Sequence, residues 1–255
     1  MTLHQITRVR RETRRRLLKV VDVERLTPCM QRIRFFSPEL HDFASAAPDD
    51  HIKLIFPNPA ADSDAEAGVN TRDYTPRKYD ADRNTLTIDF FLHEAGPATA
   101  WALGAKNGDI LEVGGPRGSS VVTDDFDWYL LIGDETALPA IGRRVEELRP
   151  GVPVTTLVVI DNAAEEQTFA TRAALKQLWL YRNGQTLDDA TLFQRALTTF
   201  TRPPGDGYIW IAAEARTARS VRHFVIDELH HPKEWLKAAG YWREGEIASH
   251  EKIED

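Results

Sequence analysis

Between Leu18 and Val122 hydrophobic and polar positions alternate in short runs separated by turn residues: Lys19–Val23, Gln31–Phe36, Ile52–Phe56, Arg72–Thr75, Thr85–Phe91 and Ile110–Val113. A period of two sends successive side chains to opposite faces of a strand, and six such runs predict a six-stranded antiparallel β-barrel. One interruption, Pro97–Gly104, has Pro where a first turn tolerates it and Gly where a helix ends, so a short helix is expected there. Beyond Asp124-Asp125-Phe126-Asp127 the pattern changes. Apolar runs (Trp128–Ile132, Val154–Ile160, Leu178–Tyr181, Tyr208–Ala213) now alternate with helical stretches (Thr136–Leu148, Leu187–Phe200, Thr217–Leu229). That alternation predicts βαβ units and an α/β domain built on a parallel sheet covered on both faces. The expected organisation is a basic N-terminal arm over 1–16, a barrel domain over 17–123 and an α/β domain over 124–255. Residues 60–68, small and acidic, read as a mobile loop within the barrel.

At 255 residues and 42% hydrophobic the chain can fill the cores of two ordinary domains. A net charge of −7 argues against general nucleic-acid binding, although Arg8, Arg10, Arg11, Arg14, Arg15 and Arg16 form a basic run near the start. Such a run reads first as a solvated or tail segment, with contact to DNA, a membrane or an anionic substrate as the alternatives. No apolar stretch approaches the roughly 20 residues needed to span a bilayer, and the N-terminus lacks the apolar core of a signal peptide. A cytoplasmic protein is expected, and a monomer. The one cysteine, Cys29, lies between Pro28 and Met30 and reads as a small packed thiol in a turn. No metal site is expected: His93 has no second His at ligand spacing, and the adjacent His230 and His231 face different ways on a helix.

The segment Thr71-Arg72-Asp73-Tyr74-Thr75-Pro76-Arg77 carries the most chemistry. In a strand Arg72 and Tyr74 share one face, with the Thr75 hydroxyl beside them. A guanidinium can grip phosphates as a fork, a phenol can lie on an isoalloxazine ring, and a hydroxyl can reach a ring nitrogen. A helix start at Pro97 would offer free N–H groups suited to phosphate.

This segment, the run from Asp89 to Ala102 and the stretch Gly114-Gly115-Pro116-Arg117-Gly118-Ser119 together resemble the siderophore-interacting protein family, flavoproteins of the ferredoxin-reductase type. The resemblance extends from about Leu18 to Trp242, and Arg72, Tyr74, Thr75 and Arg77 match the family's Arg-x-Tyr-Thr-x-Arg element in full. It implies FAD on the barrel, with Arg72, Tyr74 and Thr75 holding the flavin. Ala98 and Thr99 would lie at the pyrophosphate, with Trp101 on the same helix, and Asp89, Phe91 and His93 would run along the cofactor. Barrel packing accounts equally for Phe90, and for Phe91 in part.

The α/β domain lacks a Gly-x-Gly-x-x-Gly fingerprint. Its first strand runs instead into Gly133-Asp134-Glu135-Thr136, which by resemblance is the nicotinamide loop and by pattern alone is equally a turn with acids capping a helix. Arg143, Arg144, Arg216 and Arg219 could receive an NADPH phosphate or be solvated helix residues. Asp161 is the type of acid that binds an adenosine ribose hydroxyl. NADPH is favoured over NADH by resemblance alone. Lys53 fits the family's basic substrate site and fits an outward strand residue equally well; Arg77 and Arg243 are further candidates, with Lys78 beside them. Tyr241 and Trp242 read first as anchoring the last helix to the sheet, with a cover over the flavin or nicotinamide site as the alternative. The function expected is an NAD(P)H-dependent, FAD-containing ferric-siderophore or ferric-chelate reductase. A non-catalytic ferric-siderophore carrier and a flavin oxidoreductase with a protein acceptor are the alternatives.

Overall fold

The computed structural model describes residues 4–57, 70–93, 96–184, 186–246 and 251–253. The expected loop at 60–68 lies outside them. The chain divides into two compact units, Ile6–Val121 and Met1–Gln5 with Val122–Asp255.

The first unit contains β1 (Ile6–Arg10), β2 (Arg15–Thr27), β3 (Met30–Phe36), β4 (Ile52–Phe56), β5 (Asn70–Tyr74), β6 (Lys78–Asp80), β7 (Thr85–Phe91), α1 (Pro97–Gly104), β8 (Ile110–Gly114) and β9 (Gly118–Val122). All six predicted strands are present. With β6 they form a curled antiparallel sheet in the order β5-β4-β8-β2-β3-β7-β6, while β1 and β9 pair as a separate ribbon. Alternation decides the inside: Leu18, Val20, Ile33, Phe35, Ile52, Leu54, Phe56, Ile88 and Phe90 fill one core. Cys29 sits in the β2–β3 turn.

The basic segment is in part the solvated run expected of it, with Arg8, Arg10, Arg14 and Arg15 exposed, and in part built into the fold. Residues 6–10 are a strand, and Arg16 is 8% exposed. Its guanidinium donates to the Glu39 and Gly115 carbonyls (2.9 and 3.2 Å) and to Asp42 Oδ1 (2.7 Å). A charged side chain is buried when its donors are this fully used.

The second unit contains β10 (Trp128–Gly133), α2 (Leu138–Glu147), β11 (Pro153–Ile160), β12 (Ala174–Tyr181), α3 (Asp189–Thr198), β13 (Gly207–Glu214), α4 (Ala215–Asp227), β14 (Leu236–Trp242) and β15 (Glu251–Ile253). The sheet order is β12-β11-β10-β13-β14-β15, parallel except for β15. Pro139 in the first turn of α2 and Asp188 capping α3 through the Thr191 N–H (2.7 Å) set two helix starts. Leu236–Trp242 is a strand on β13, where the sequence suggested helix anchoring. Gly240 allows it: a Cβ there would lie 2.7 Å from Ala215 Cβ.

Candidate functional site

In the first unit the register assigns each candidate a face. Tyr74 lies opposite Ile52, and Arg72 opposite Leu54. Both therefore share the core-facing side of the sheet, since directly opposed residues share a face. The Tyr74 ring packs on Phe90 at 4.7 Å, and burial pushes its phenol pKa well up against the opposing charge of Arg72. Arg72 donates to the Thr71 carbonyl at 2.8 Å; its other donors have no partner among the described residues. Thr75 is buried.

Helix α1 packs on β4 and β7. Its N-cap, Gly96, makes no side-chain cap, and no acid stands in its first turn. Thr99, in that turn, is buried with an Oγ1 that has no hydrogen-bond partner among the described residues, and Ala98 is buried beside it. An uncapped helix start, an orphaned hydroxyl and a guanidinium with donors to spare fit a phosphate-bearing flavin nucleotide. Trp101 has a different task. Its ring lies about 6 Å from Phe35, Phe56 and Phe90, so it anchors α1 in the barrel core.

On β7, Phe90 is fully buried while Asp89 and Phe91 take the other face, so barrel packing accounts for Phe90 and not for Phe91. Asp89 receives both arms of Arg32 at 2.7 Å, and Arg77 Nε lies 3.6 Å away. Arg77 is 5% exposed. A guanidinium buried on a carboxylate cannot receive a bulky chelate, so Arg77 leaves the candidate docking set. His93 is exposed, with its ring near Phe91 (6.0 Å). Lys53 lies opposite Asp73 on the outer face, away from Arg72 and Tyr74, with Nζ 2.9 Å from Asp73 Oδ1.

In the second unit the candidate loop stands at the carboxyl ends of the strands. Neighbours β10 and β13 mark the point where strand order reverses, the crevice in which open α/β sheets bind ligands. Gly133 is required here: a Cβ would fall 2.5 Å from Ala137 Cβ and 2.7 Å from the Ala212 carbonyl. Asp134 is buried and four-fold bonded: Thr136 donates through N and Oγ1, the Glu214 N–H at 3.0 Å and Trp242 Nε1 at 2.8 Å. Burial pushes its pKa up, against the pull of Thr136 and Trp242. Asp134 thus ties the ends of β10, β13 and β14 together, and it explains Trp242, which is pinned rather than anchoring a helix. Glu135 is held by Arg182, which also grips Asp189 at 2.8 and 2.7 Å.

Glu214 was not singled out in the sequence. It caps α4 through the Arg216 and Thr217 N–H groups (2.6 and 3.0 Å), yet its Oε1 is buried without a partner among the described residues. An acid between an apolar strand and a helix was the signal available. Of the four candidate phosphate receivers, Arg143 pairs with Glu147 (2.7 Å), Arg144 lies over the Tyr129 ring (4.9 Å) and Arg219 pairs with Glu251. Arg216 is exposed in the first turn of α4, and Asp161 is exposed after β11. Arg243 is held by Glu246 and Glu251 (2.8 and 3.3 Å).

Two family models match the chain: "Siderophore-interacting FAD-binding domain" over residues 19–120 and "Siderophore-interacting protein" over 126–245. The chain belongs to the siderophore-interacting protein family. It is 36% identical over 250 residues to the NADPH-dependent ferric-chelate reductase of Escherichia coli (strain K12), covering 92% of this chain and 95% of that one. A siderophore utilization protein from T. fusca superposes with a TM-score of 0.86 at 36% identity, covering 96% of this chain and 98% of that one. Ferredoxin-NADP+ reductase from Plasmodium falciparum shares the fold, with a TM-score of 0.64 at 13% identity over 86% of this chain and 93% of that one. No helix among the described residues is long and apolar enough to cross a membrane.

Proposed function

We propose that this protein is an FAD-dependent ferric-chelate reductase, taking electrons from NAD(P)H, with NADPH favoured, and delivering them to Fe(III) in a siderophore or similar chelate, which then releases Fe(II). The observation that carries the reading is the uncapped α1 with its orphaned Thr99 hydroxyl, on the same barrel as Arg72 and Tyr74, in a chain matched to an NADPH-dependent ferric-chelate reductase over 95% of that protein's length. FAD, when bound, supplies the conversion between a two-electron hydride donor and a one-electron metal acceptor.

The chain's own residues bind and orient. Arg72 neutralises phosphate charge with donors left over from its Thr71 contact, and Tyr74 supplies an aromatic face held by Phe90. Thr75, next to Tyr74, would hold the flavin ring of bound FAD, Ala98 and Thr99 would hold its pyrophosphate, and Phe91 and His93 are the further residues that would contact the cofactor. Asp89 acts through Arg32 and Arg77, as a positioning residue. On the second unit Gly133 lets the end of β10 pack against Ala137 and the Ala212 carbonyl, which shapes the loop offered to a nicotinamide nucleotide, and Glu214 Oε1 is the buried acceptor left over for it. Asp134, Glu135 and Thr136 hold the shape of that loop. Lys53 and Arg243 serve anionic chelates, and the protein acts in the cytoplasm as a monomer. The test is the purified protein itself. It should release FAD on denaturation in near-stoichiometric amount and form Fe(II) from a ferric chelate only when NADPH or NADH is added. A protein free of flavin that forms no Fe(II) after FAD is supplied would refute the reading.

A further inference from the structure

Three consecutive strands of the curled sheet align Lys53 of β4, Gly114 of β8 and Arg15 of β2 in one row. Along β2, Arg16, Leu18 and Val20 are buried while Arg15, Leu17 and Lys19 face out; along β4, Ile52, Leu54 and Phe56 are buried. Lys53 and Arg15 therefore lie on the same outer face, with backbones two strand spacings, about 9–10 Å, apart. The residue between them has no side chain, and a Cβ at Gly114 would meet no atom within 4 Å. The row is thus a hollow flanked by two cations.

Among the described residues each cation has a single carboxylate partner. Lys53 Nζ is 2.9 Å from Asp73, at the end of the row, and Arg15 Nη1 is 3.1 Å from Glu112, in the next row. The Arg15 side chain is 71% exposed and that of Lys53 42%. Surface pairs of this kind contribute little in water, so a multivalent anion can displace them at small cost. Arg15 belongs to the basic run of the N-terminus, and its pairing with Gly114 within β2 and β8 holds it where a free arm would not.

We propose that Arg15 and Lys53 form a two-pronged cradle over Gly114 that receives an anionic ferric chelate by two of its charged oxygen groups, and that Arg15 thereby sets the preference for anionic over neutral chelates. This rests on the ferric-chelate reductase reading. Binding is to be measured by calorimetry on the FAD-loaded protein with gallium(III) dicitrate, which is anionic and not reduced. Turnover is to be compared between ferric dicitrate and neutral ferric tris(acetohydroxamate). Arg15→Gln and Lys53→Gln should each weaken gallium dicitrate binding about two- to fivefold, and lower the anionic-to-neutral ratio of kcat/KM by the same factor. Gly114→Thr, which fills the hollow and removes no charge, should also weaken binding, whereas Lys106→Gln, at an exposed lysine in the α1–β8 turn, should not. Raising the salt should erase the differences. A parent protein that does not bind gallium dicitrate, or an Arg15→Gln variant that binds it as the parent does, overturns the cradle. If no ferric chelate is reduced while gallium dicitrate binds in an Arg15-dependent way, the reductase reading fails and the cradle stands.

Discussion

Replacing Arg16 with Met tests whether the basic N-terminal segment is built into the barrel. Arg16 is 8% exposed, makes three bonds to backbone carbonyls, the one to Arg14 long at 3.5 Å, and one to Asp42, and lies 5.7 Å over the Phe43 ring. Hydrogen bonds to a charged group contribute about 1.5–3 kcal/mol each. Part of this is offset, because Met keeps the apolar stem, Asp42 can be rehydrated, and the cost of burying a guanidinium disappears. The net loss expected is about 2–4 kcal/mol, a range set by charge-assisted bonds and broken buried pairs. Hydrogen–deuterium exchange read by mass spectrometry isolates the barrel unit from the α/β unit. The slowest amides of β2 and β8 should exchange about 30- to 700-fold faster, since each 1.4 kcal/mol is tenfold. Arg14→Gln is the control: Arg14 also pairs with Asp42, but its side chain is 56% exposed, and the change should be less than threefold. An Arg16→Met protein that exchanges within threefold of the parent would refute the reasoning. A chain shortened to begin at Leu17 should likewise be destabilised, against the expectation for a solvated arm.

Tyr74→Ala should weaken FAD retention by about 0.5–1.5 kcal/mol beyond the lost burial, and Arg72→Ala by more, as measured by equilibrium dialysis of FAD; unchanged retention in both would mean the motif is misread. Thr99→Val, which keeps shape and removes the hydroxyl, should stabilise the apo protein slightly while weakening FAD binding, a split visible in melting curves with and without FAD. Two histidines should give opposite pH dependences. Burial lowers His231 to about 4, below its unfolded value, so its contribution is present above about pH 6.5 and lost as pH falls toward 4. Burial pulls His4 down, but hydrogen bonds and charges from Asp206 and Asp125 outweigh it, so its contribution is present below about pH 6.5 and lost as pH rises through the raised pKa. Tm against pH should therefore show His231→Gln flattening the acid decline, and the gap between parent and His4→Gln narrowing as pH rises; a gap that widens would contradict the assignment.

Alternation made the six main strands legible, because each has one face on the core. The ribbon of β1 and β9 was not, since Thr7-Arg8-Val9-Arg10 is largely exposed and Gly118-Ser119-Ser120 buries a hydroxyl rather than apolar side chains, so neither carries a hydrophobic period. β14 was missed for a related reason: Lys237-Ala238-Ala239-Gly240 is poor in β-formers, and tertiary contact with β13 and α4 decides its state. The Arg72–Tyr74 pair could be placed on one face from spacing alone. Whether Arg16, Arg77 or Lys53 is buried could not, because a charge is buried only where partners distant in sequence saturate it. Those partners, Asp42 for Arg16 and Asp89 for Arg77, arrive through the fold; for Lys53, Asp73 arrives through the register of β4 and β5. Asp134 shows the same limit, since its partners Glu214 and Trp242 are remote in the chain.

The central claim is electron transfer from NAD(P)H through bound FAD to chelated iron. Anaerobic stopped-flow absorbance on the FAD-loaded protein tests it most directly, in two mixes. NADPH should bleach the flavin band at a rate that saturates with NADPH concentration. The reduced protein mixed with ferric dicitrate should then regain that band while Fe(II) forms at two per flavin. A flavin that neither NADPH nor NADH bleaches, or a reduced flavin that ferric dicitrate leaves bleached, would contradict the account.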